Sequence, residues 1–230
     1  MPGGLLFERV SFVIPVLDEA LGISTLLRDL RERYPGCEII VVDGGSSDQT
    51  VAQAMPLCDQ LLIGEAGRAG QMNLGAQVAT SEYLMFLHAD SFPGISAVRL
   101  ERLLQQQPGW GFCQVRLSGT RPVFRVIEWA INLRSRLSRV GTGDQMLFLR
   151  RELFLQTGGF DPIPLMEDVA YCKRLRRVGR PKVIAEPVTT SSRRWEEHGV
   201  ARTVLRMWLL RLAYFFGVSP SSLWRYYYGR

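Results

Sequence analysis

Cysteine and histidine are scarce in this sequence, which has four cysteines and two histidines among 230 residues. No two cysteines form a C-x-x-C pair, so the ligand spacing of a structural zinc site is missing. Cys37, Cys113 and Cys172 lie in apolar or helical stretches, which is typical of reduced thiols. We therefore expect a cytoplasmic protein without a disulfide framework.

Several signatures of nucleotide-binding and exported proteins are also missing. Neither a G-x-x-x-x-G-K-[ST] loop nor a G-x-G-x-x-G fingerprint occurs, which argues against a P-loop and a dinucleotide-binding turn. The first residues, MPGGLLFERVSFVIPV, show no basic segment before an apolar stretch, so we expect no signal peptide. No nucleic-acid recognition motif accompanies the basic residues, and we expect no nucleic-acid partner.

Positive charge is concentrated in the last quarter of the chain. Residues 173–230 contain 13 Lys or Arg against 3 Asp or Glu, whereas residues 1–172 contain 15 against 19. This asymmetry indicates either an anionic partner or a solvated basic face. With 47% hydrophobic and 22% charged residues, the chain is expected to fold, and its length suits one domain with or without an appendage.

Strand-like apolar runs alternate with amphipathic helical segments along the first 120 residues. We predict strands at 10–16, 37–43, 59–65, 82–88, 110–118 and 145–151. We predict helices at 19–34, 47–55, 69–79, 123–140 and 165–178. Such alternation predicts an α/β fold with a mostly parallel central sheet flanked by helices.

The residues that follow the predicted strands are the first candidates for a site, because ligands bind such sheets at the carboxyl ends of the strands. These residues are Asp18 and Glu19, then 43–48, then Arg68, then 88–90. Three of the four groups contain carboxylates. An edge so rich in oxygen suits a metal-bound ligand that carries phosphate.

Motifs in a fixed order then resemble the family 2 glycosyltransferases of the GT-A fold. They are VIPVLDEA (13–20), VVDGGSSDQT (41–50), GRAGQMNLGA (67–76), FLHADS (86–91), MEDVAYCKRL (166–175) and SSRRW (191–195). Asp18 stands where asparagine is common, and Gly44 replaces the second aspartate of the D-D-G-S-T-D-like loop. The set GRAGQMN, FLHADS and SSRRW is similar to a compact bacterial branch labelled arsenosugar-biosynthesis glycosyltransferases.

The resemblance implies a GT-A domain over residues 1–196, with a nucleotide-binding half at about 1–90 and an acceptor half at about 91–196. A helical tail, 197–230, would follow. The implied reaction is inverting transfer of a sugar from a nucleotide-diphosphate sugar, with a UDP-sugar favoured, to a hydroxyl of a small-molecule or lipid acceptor.

The resemblance also implies which residues hold the donor. They would be Pro15, Glu19, Asp43, Arg68, Asn73, His88, Ala89, Asp90, Arg193, Arg194 and Trp195. Asp90 matches the last position of the family's D-x-D motif and would bind Mn²⁺ or Mg²⁺. His88 stands at the first position, which is usually acidic, and would either join the metal shell or contact the donor.

The pair Glu167 and Asp168 occupies the place of the catalytic base in inverting members. Asp168 is the predicted base and Glu167 the alternative, and such a base contributes about 10²- to 10⁴-fold in rate. Both residues lie in the first turn of a predicted helix, where the helix dipole also favours carboxylates. A purely structural role therefore stays open at this point.

Two other functions remain open on the sequence. One is a nucleotidyltransferase on a related sheet, although no G-x-G-T-R-like loop occurs near the first strand. The other is a nucleotide-sugar-binding protein without catalysis, for which His88 in place of a carboxylate is the main argument.

The tail is both apolar and basic. Residues 201–218 have about the length of a membrane-spanning helix, but Arg206 and Arg211 would be costly at the centre of a bilayer. Residues 223–230 add Trp224, three tyrosines and two arginines, as in an interfacial belt. The tail could pack on the domain, pair in a homodimer, contact the inner face of the plasma membrane, or span the membrane.

Overall fold

A computed structural model describes residues 9–229, without the side chains of Arg194 and His198. The strands are β1 (Val10–Val16), β2 (Glu38–Asp43), β3 (Gln60–Ile63), β4 (Tyr83–Phe86), β5 (Ser91–Pro93), β6 (Trp110–Leu117), β7 (Leu147–Arg150) and β8 (Lys182–Thr190). The helices are α1 (Ile23–Arg33), α2 (Thr50–Ala54), α3 (Arg68–Val78), α4 (Ala97–Gln105), α5 (Pro122–Ser138), α6 (Arg151–Thr157), α7 (Glu167–Val178), α8 (Arg193–His198), α9 (Val200–Phe215) and α10 (Pro220–Tyr228).

The strands form one eight-stranded sheet in the order β3-β2-β1-β4-β7-β6-β8-β5. The first four in this order are parallel, so their carboxyl ends meet at one edge. Strand β7 runs antiparallel to both β4 and β6, while β8 runs parallel to β6. Strand β5 pairs antiparallel with β8, which brings the segment after Asp90 beside the segment that leads to Arg193.

The apolar residues of the parallel strands are buried on both faces of the sheet. Phe12 and Ile14 of β1 join the core that contains Leu26 and Leu30 of α1. Val13, between them, joins a second core on the other face, which contains Ala76 of α3. This alternation follows from the side-chain period of a strand, and it explains why the sequence of β1 is apolar at almost every position.

The predicted α/β fold with a central sheet flanked by helices is confirmed. Each predicted strand and helix through residue 178 has a counterpart, with ends that differ by a few residues. The sheet is continuously parallel only from β3 to β4, because β7 inserts antiparallel between β4 and β6, while β6 and β8 form a further parallel pair. The elements β5, α4, α6, β8 and α8 were not predicted from the sequence. Strand β8 contains Pro187 and a register shift opposite Cys113 and Gln114, so its apolar alternation is weak.

The tail forms α9 and α10. Leu210 and Leu223 are buried in the second core, together with residues of α3 and α7. The guanidinium of Arg206 donates to the backbone oxygens of Tyr226, at 3.0 Å, and of Tyr227, which ties the two helices together. No helix within residues 9–229 combines the length and the apolar character needed to cross a membrane.

Candidate active site

The loop after β2 is organised by the carboxylate of Asp43. One oxygen of this buried carboxylate accepts hydrogen bonds from the backbone N–H groups of Gly45 and Ser46, both at 2.9 Å. The other accepts from the hydroxyl of Ser46. Asp43 is also predicted to contact the nucleoside. Its carboxylate would have to accept hydrogen bonds from the nucleoside while it keeps those from its own loop.

Gly44 departs from the family pattern for a packing reason. A Cβ atom at this position would lie 3.0 Å from Nε2 of Gln71 and 3.3 Å from Cα of Ala66. Gln71 in turn is 3% exposed, and its amide donates to the carbonyls of Val16 and Val42, each at 2.8 Å. Gly44 thus leaves room for the side chain of Gln71, which joins the carboxyl ends of β1 and β2. Gln71 was not among the residues predicted from the sequence.

Replacing Gln71 with leucine is expected to lower the free energy of unfolding by about 1 to 3 kcal/mol, because two buried carbonyls each lose one donor, although the Val16 carbonyl still accepts from the N–H of Gly44. Leucine has a similar volume, so a packing defect contributes little. Urea unfolding measures the difference, and Gln77→Leu, at an exposed position of the same helix, is the matched control. Equal stability of the two variants would contradict this role of Gln71.

The loops after β1 and β2 are joined by reciprocal hydrogen bonds. Asp18 has a positive φ of 53°, a conformation that asparagine and aspartate tolerate better than most residues. Its carboxylate accepts from the backbone N–H of Ser47 at 2.7 Å, and its own N–H donates to the hydroxyl of Ser46 at 2.9 Å. Aspartate, which stands here in place of the family's asparagine, can therefore adopt this backbone conformation and join the two loops by hydrogen bonds.

Glu19, which follows in the same loop, is near Asp90. Burial raises the pKa of Glu19 above its ordinary value, the charge of Asp90 raises it further, and Arg193 and His88 act in the opposite direction. The structure thus brings together four of the residues predicted from three separate motifs. They come from the ends of β1 and β4 and from the segment after β8, which the pairing of β5 with β8 places side by side.

His88 is turned toward the segment that precedes β7. Its Nδ1 atom lies 3.2 Å from a carboxylate oxygen of Asp144, and only 15% of its side chain is exposed. Its Nε2 atom is buried without a hydrogen-bond partner among the described residues, and a Cβ atom on Gly143 would lie 2.3 Å from it. Both ring nitrogens of His88 therefore lie near the Gly143–Gln145 turn, and its predicted roles as metal ligand or donor contact stay predictions.

The donor set at this edge fits a divalent cation held by Asp90. Asp90 accepts a hydrogen bond from the Ser91 hydroxyl at 3.2 Å, and its carboxylate oxygens are of the type that Mg²⁺ and Mn²⁺ bind. Within residues 9–229, no three His, Cys, Asp or Glu side chains are grouped closely enough to hold a metal by themselves. Oxygen atoms of a bound diphosphate or water would have to supply the other ligands.

Arg68 and Glu167 form an ion pair across the site. Nε of Arg68 lies 3.0 Å from Oε1 of Glu167, whose side chain is 3% exposed. The second oxygen of Glu167 is buried and has no hydrogen-bond partner among the described residues. Glu167 is thus committed to Arg68, and it holds this guanidinium at the start of α3, next to the N-terminal turn of α7.

Burial raises the pKa of the Glu167 carboxyl, although the charge of Arg68 lowers it. The folded state therefore holds this proton more tightly than the unfolded chain, so the stabilising contribution is present at low pH and is lost as the pH rises through the folded pKa. We expect stability to fall as the pH rises from about 4.5, the ordinary glutamate value, through the higher pKa of the folded state. The decline should be smaller in Glu167→Gln.

Thermal unfolding at several pH values in this window measures that slope. Glu152→Gln is the matched control, because Glu152 also lies in the first turn of a helix but is exposed. An unchanged slope in Glu167→Gln would contradict the assignment.

Asp168 faces a different environment from Glu167. Its Oδ2 atom accepts from the backbone N–H of Gly143 at 2.8 Å, and its Oδ1 atom accepts from the N–H of Val169 at 2.6 Å. The carboxylate is half-buried, so it is reachable from outside. Gly143 therefore lies between His88 and Asp168, and this turn connects the segment that carries Asp90 with the start of α7.

Other predicted residues have structural contacts. The side-chain amide of Asn73 donates to the carbonyl of Phe160 and accepts from its N–H, both at 2.9 Å, so it holds the turn before α7. Trp195 packs against the apolar cluster of Leu117, Phe124 and Ile127. Their predicted contacts with the donor stay predictions, as do those of the buried Pro15 and Ala89. Arg193 is exposed, and the side chain of Arg194 lies outside the described part of the structure.

Two further residues of the site were missed by sequence reasoning. Gln145 is buried, accepts from the Ser135 hydroxyl at 2.8 Å and donates to the carbonyl of Cys113 at 3.1 Å, which fixes the turn that carries Gly143. Arg134 on α5 is half-buried, and its charge interacts with Asp168 and Asp144. Gln145 lies in the segment GTGDQMLF (141–148), whose G-D-Q residues were its signal, whereas nothing in the helical pattern of α5 distinguished Arg134.

Known proteins resemble this chain in sequence and in fold. The family model described as glycosyl transferase family 2 matches residues 11–159. The crystal structure of S. aureus TarS 1-349 in complex with UDP is 18% identical, with a TM-score of 0.64 over 80% of this chain and 60% of that chain.

Mannosyltransferase PcManGT from Pyrobaculum calidifontis in complex with GDP-Man and Mn²⁺ is 22% identical, with a TM-score of 0.59 over 80% of this chain and 56% of that chain. This chain thus corresponds to less than two thirds of either structure. At these identities the likeness shows a shared fold. No curated protein sequence matches the chain.

Proposed function

Since the chain belongs to glycosyl transferase family 2 and has the GT-A fold, we propose that it transfers a sugar from a nucleotide-diphosphate sugar to an acceptor hydroxyl with inversion at the anomeric carbon. The observation that carries this proposal is the Gly143–Gln145 turn. It contacts His88, two residues before Asp90, and donates a hydrogen bond to Asp168. The segment that carries Asp90 and the carboxylate of Asp168 therefore meet at a single turn.

Asp168 is the proposed general base. It would take the proton from the acceptor hydroxyl as that oxygen attacks the anomeric carbon, and the nucleoside diphosphate would leave from the opposite side. The N–H of Gly143 holds Oδ2 of Asp168 in place, which restricts the rotation of the carboxylate. Glu167 is the weaker candidate for this role, because its carboxylate is buried and already forms an ion pair with Arg68.

The leaving diphosphate needs positive charge around it. Asp90 would hold a divalent cation, whose charge stabilises the negative charge that develops on the leaving group. Arg68 and Arg193 are the proposed protein cations, since a guanidinium matches the geometry of phosphate oxygens. Glu167 orients Arg68, and Arg193 lies close enough to Glu19 to act on its pKa.

A nucleotide sugar is supported as donor by the fold neighbours. TarS has been crystallised with UDP and with UDP-GlcNAc, and PcManGT with GDP-Man and Mn²⁺. We propose a UDP-sugar for this chain, with a small-molecule or lipid acceptor. Membership in the arsenosugar-labelled branch is part of the proposal, and a screen of donors and acceptors for a glycosylated product tests it.

The two proposed halves of the domain contribute different strands to the central sheet. The half up to about residue 90 contributes the parallel strands and the donor loops, while β6, β7, β8 and α7 belong to the acceptor half. Pairing of β4 with β7 makes both halves parts of one sheet. The tail from 197 shares the second core with α7 through Leu210 and Leu223.

Thermal-shift titration with UDP and GDP, with Mn²⁺ and with EDTA, tests the proposal. We expect a nucleoside diphosphate to raise Tm in the presence of Mn²⁺, since a ligand at a hundredfold excess over its Kd stabilises by about 2.7 kcal/mol. No response to either nucleotide would argue strongly against a transferase. A response to nucleoside triphosphates with pyrophosphate release would favour a nucleotidyltransferase, and binding without turnover of any donor would favour a binding protein.

A further inference from the structure

The outer side of α9 is apolar. The exposed apolar residues of α9 are Leu205, Trp208, Leu209, Leu212 and Phe215, and Phe216, the residue that follows the helix, is exposed as well. At about 100° per residue they cover one side of the helix, whereas the buried Thr203 and Leu210 lie on the other. We call these six residues the α9 stripe. It faces away from the core, and it includes Trp208, whose side chain is 72% exposed although it is large and apolar.

The neighbouring helix α5 has the same pattern. Val126, Trp129, Leu133 and Leu137 are exposed on its outer side, opposite the buried Phe124 and Ile127. We call these four residues the α5 stripe. The two helices meet in one apolar cluster, where Ile131 of α5 and Val204 of α9 pack against Phe124 and Ile127. Apolar side chains that are exposed on two adjoining helices are typical of an interaction surface.

Arginines border the α9 stripe on both sides. With the helical period of about 100° per residue, Arg211 lies beyond the edge formed by Phe215, and Arg202 lies beyond the edge formed by Leu209. Residues 173–230 as a whole contain 13 basic against 3 acidic side chains. A partner of this surface must therefore be apolar in its interior and negatively charged at its margin.

We propose that α9 and α5 bind the surface of an anionic lipid bilayer, with both helices lying in the plane of the interface. Tryptophan prefers the headgroup level, and Trp208 of the α9 stripe and Trp129 of the α5 stripe are both exposed. Arginine side chains can reach headgroup phosphates while their apolar stems follow the acyl boundary. This inference does not depend on the proposed function, and it commits to one of the alternatives that the sequence left open for the tail.

A second copy of the chain fits this surface less well. Two copies that faced each other through their α9 stripes would join two margins that contain Arg202 and Arg211, and α9 contains no acidic residue to pair with these arginines. A bilayer with anionic headgroups supplies the opposite charge instead. The partner is therefore argued from charge complementarity together with the apolar stripe.

Sedimentation of the full chain with vesicles tests the inference. We expect binding to vesicles of phosphatidylglycerol and phosphatidylcholine and at most weak binding to phosphatidylcholine alone. The variant Trp208→Ala with Leu212→Ala should weaken partitioning about a hundredfold, because both side chains would otherwise enter the interface. Leu155→Ala with Met55→Ala is the matched control, since these two apolar side chains are also exposed but lie elsewhere.

Charge is tested separately. Arg202→Gln and Arg211→Gln should each weaken binding to the anionic vesicles about fivefold, and high salt should reduce the difference. Arg28→Gln and Arg102→Gln, at exposed positions of α1 and α4, are the matched controls. Wild-type binding that is equal on anionic and neutral vesicles would overturn the anionic part of the inference.

Further results of the vesicle experiment would overturn the proposal or restrict the surface to α9. Absence of vesicle binding by the wild type, or wild-type binding by the Trp208 and Leu212 variant, would overturn the proposal. So would a dimer in solution that this variant dissociates while vesicles bind neither protein. Trp129→Ala with Leu133→Ala should also weaken binding, and full binding by that variant would remove α5 from the surface. Because Trp208, Leu212, Trp129 and Leu133 are exposed, Tm should stay near the wild-type value in the variants that replace them.

Discussion

Replacing Asp168 with asparagine is expected to lower the rate of sugar transfer about 10²- to 10⁴-fold, which is the usual contribution of a general base. Asparagine can still accept the hydrogen bond from Gly143, so the turn should keep its position. The affinity for a nucleoside diphosphate should therefore stay near the wild-type value. Release of nucleoside diphosphate in the presence of acceptor measures the rate, and calorimetric titration measures the affinity.

Two further variants make this result specific. Asp29→Asn, on the outer side of α1 where Asp29 pairs with Arg33, should retain full activity. Glu167→Gln should weaken the position of Arg68 and so affect both affinity and rate. Transfer at the wild-type rate by Asp168→Asn, with normal donor binding, would show that another group takes the proton.

Replacing Asp90 with asparagine is expected to remove the dependence of nucleotide binding on Mn²⁺ and to lower kcat/KM about a hundredfold or more. The reason is that an amide oxygen binds a divalent cation less well than a carboxylate, while the volume of the side chain is preserved. The measurement is the Kd for UDP and GDP with Mn²⁺ and with EDTA. In Asp90→Asn the two values should be nearly equal.

Asp48→Asn is the matched control for this prediction. Asp48 belongs to the same edge, but its carboxylate accepts from the N–H of Ala20 and from Thr50, so its role is to hold loops. Its variant should keep the effect of Mn²⁺. His88→Gln separates the two predicted roles of His88: a retained effect of Mn²⁺ would place the metal with Asp90 alone. If wild-type Kd values were the same with Mn²⁺ and with EDTA, metal assistance would be refuted.

The strands and helices of the first half could be predicted because their signals are local. Residues 37–43 are apolar at nearly every position, and residues 19–34 have apolar residues at helical spacing. The carboxylates that follow these strands could be located by the same reasoning. Strand β8 could not be predicted, because its nine residues include Pro187 and Glu186 and it is defined by pairing with β6 and β5.

The sequence by itself determined which chemical groups follow each strand, and in which order. Only the tertiary structure decided which of these groups remain accessible to a ligand and which are held by other parts of the protein. Asp43 is held by its own loop and Asn73 by Phe160, 87 residues away. Glu167 is paired with Arg68 of another helix.

Asp168 and Asp90 retain partly exposed carboxylates, and on this ground they are the best candidates for the base and the metal ligand. The availability of a side chain depends on burial and on hydrogen-bond partners distant in sequence. A motif fixes the type of the residue, but the packing of distant segments fixes its partners.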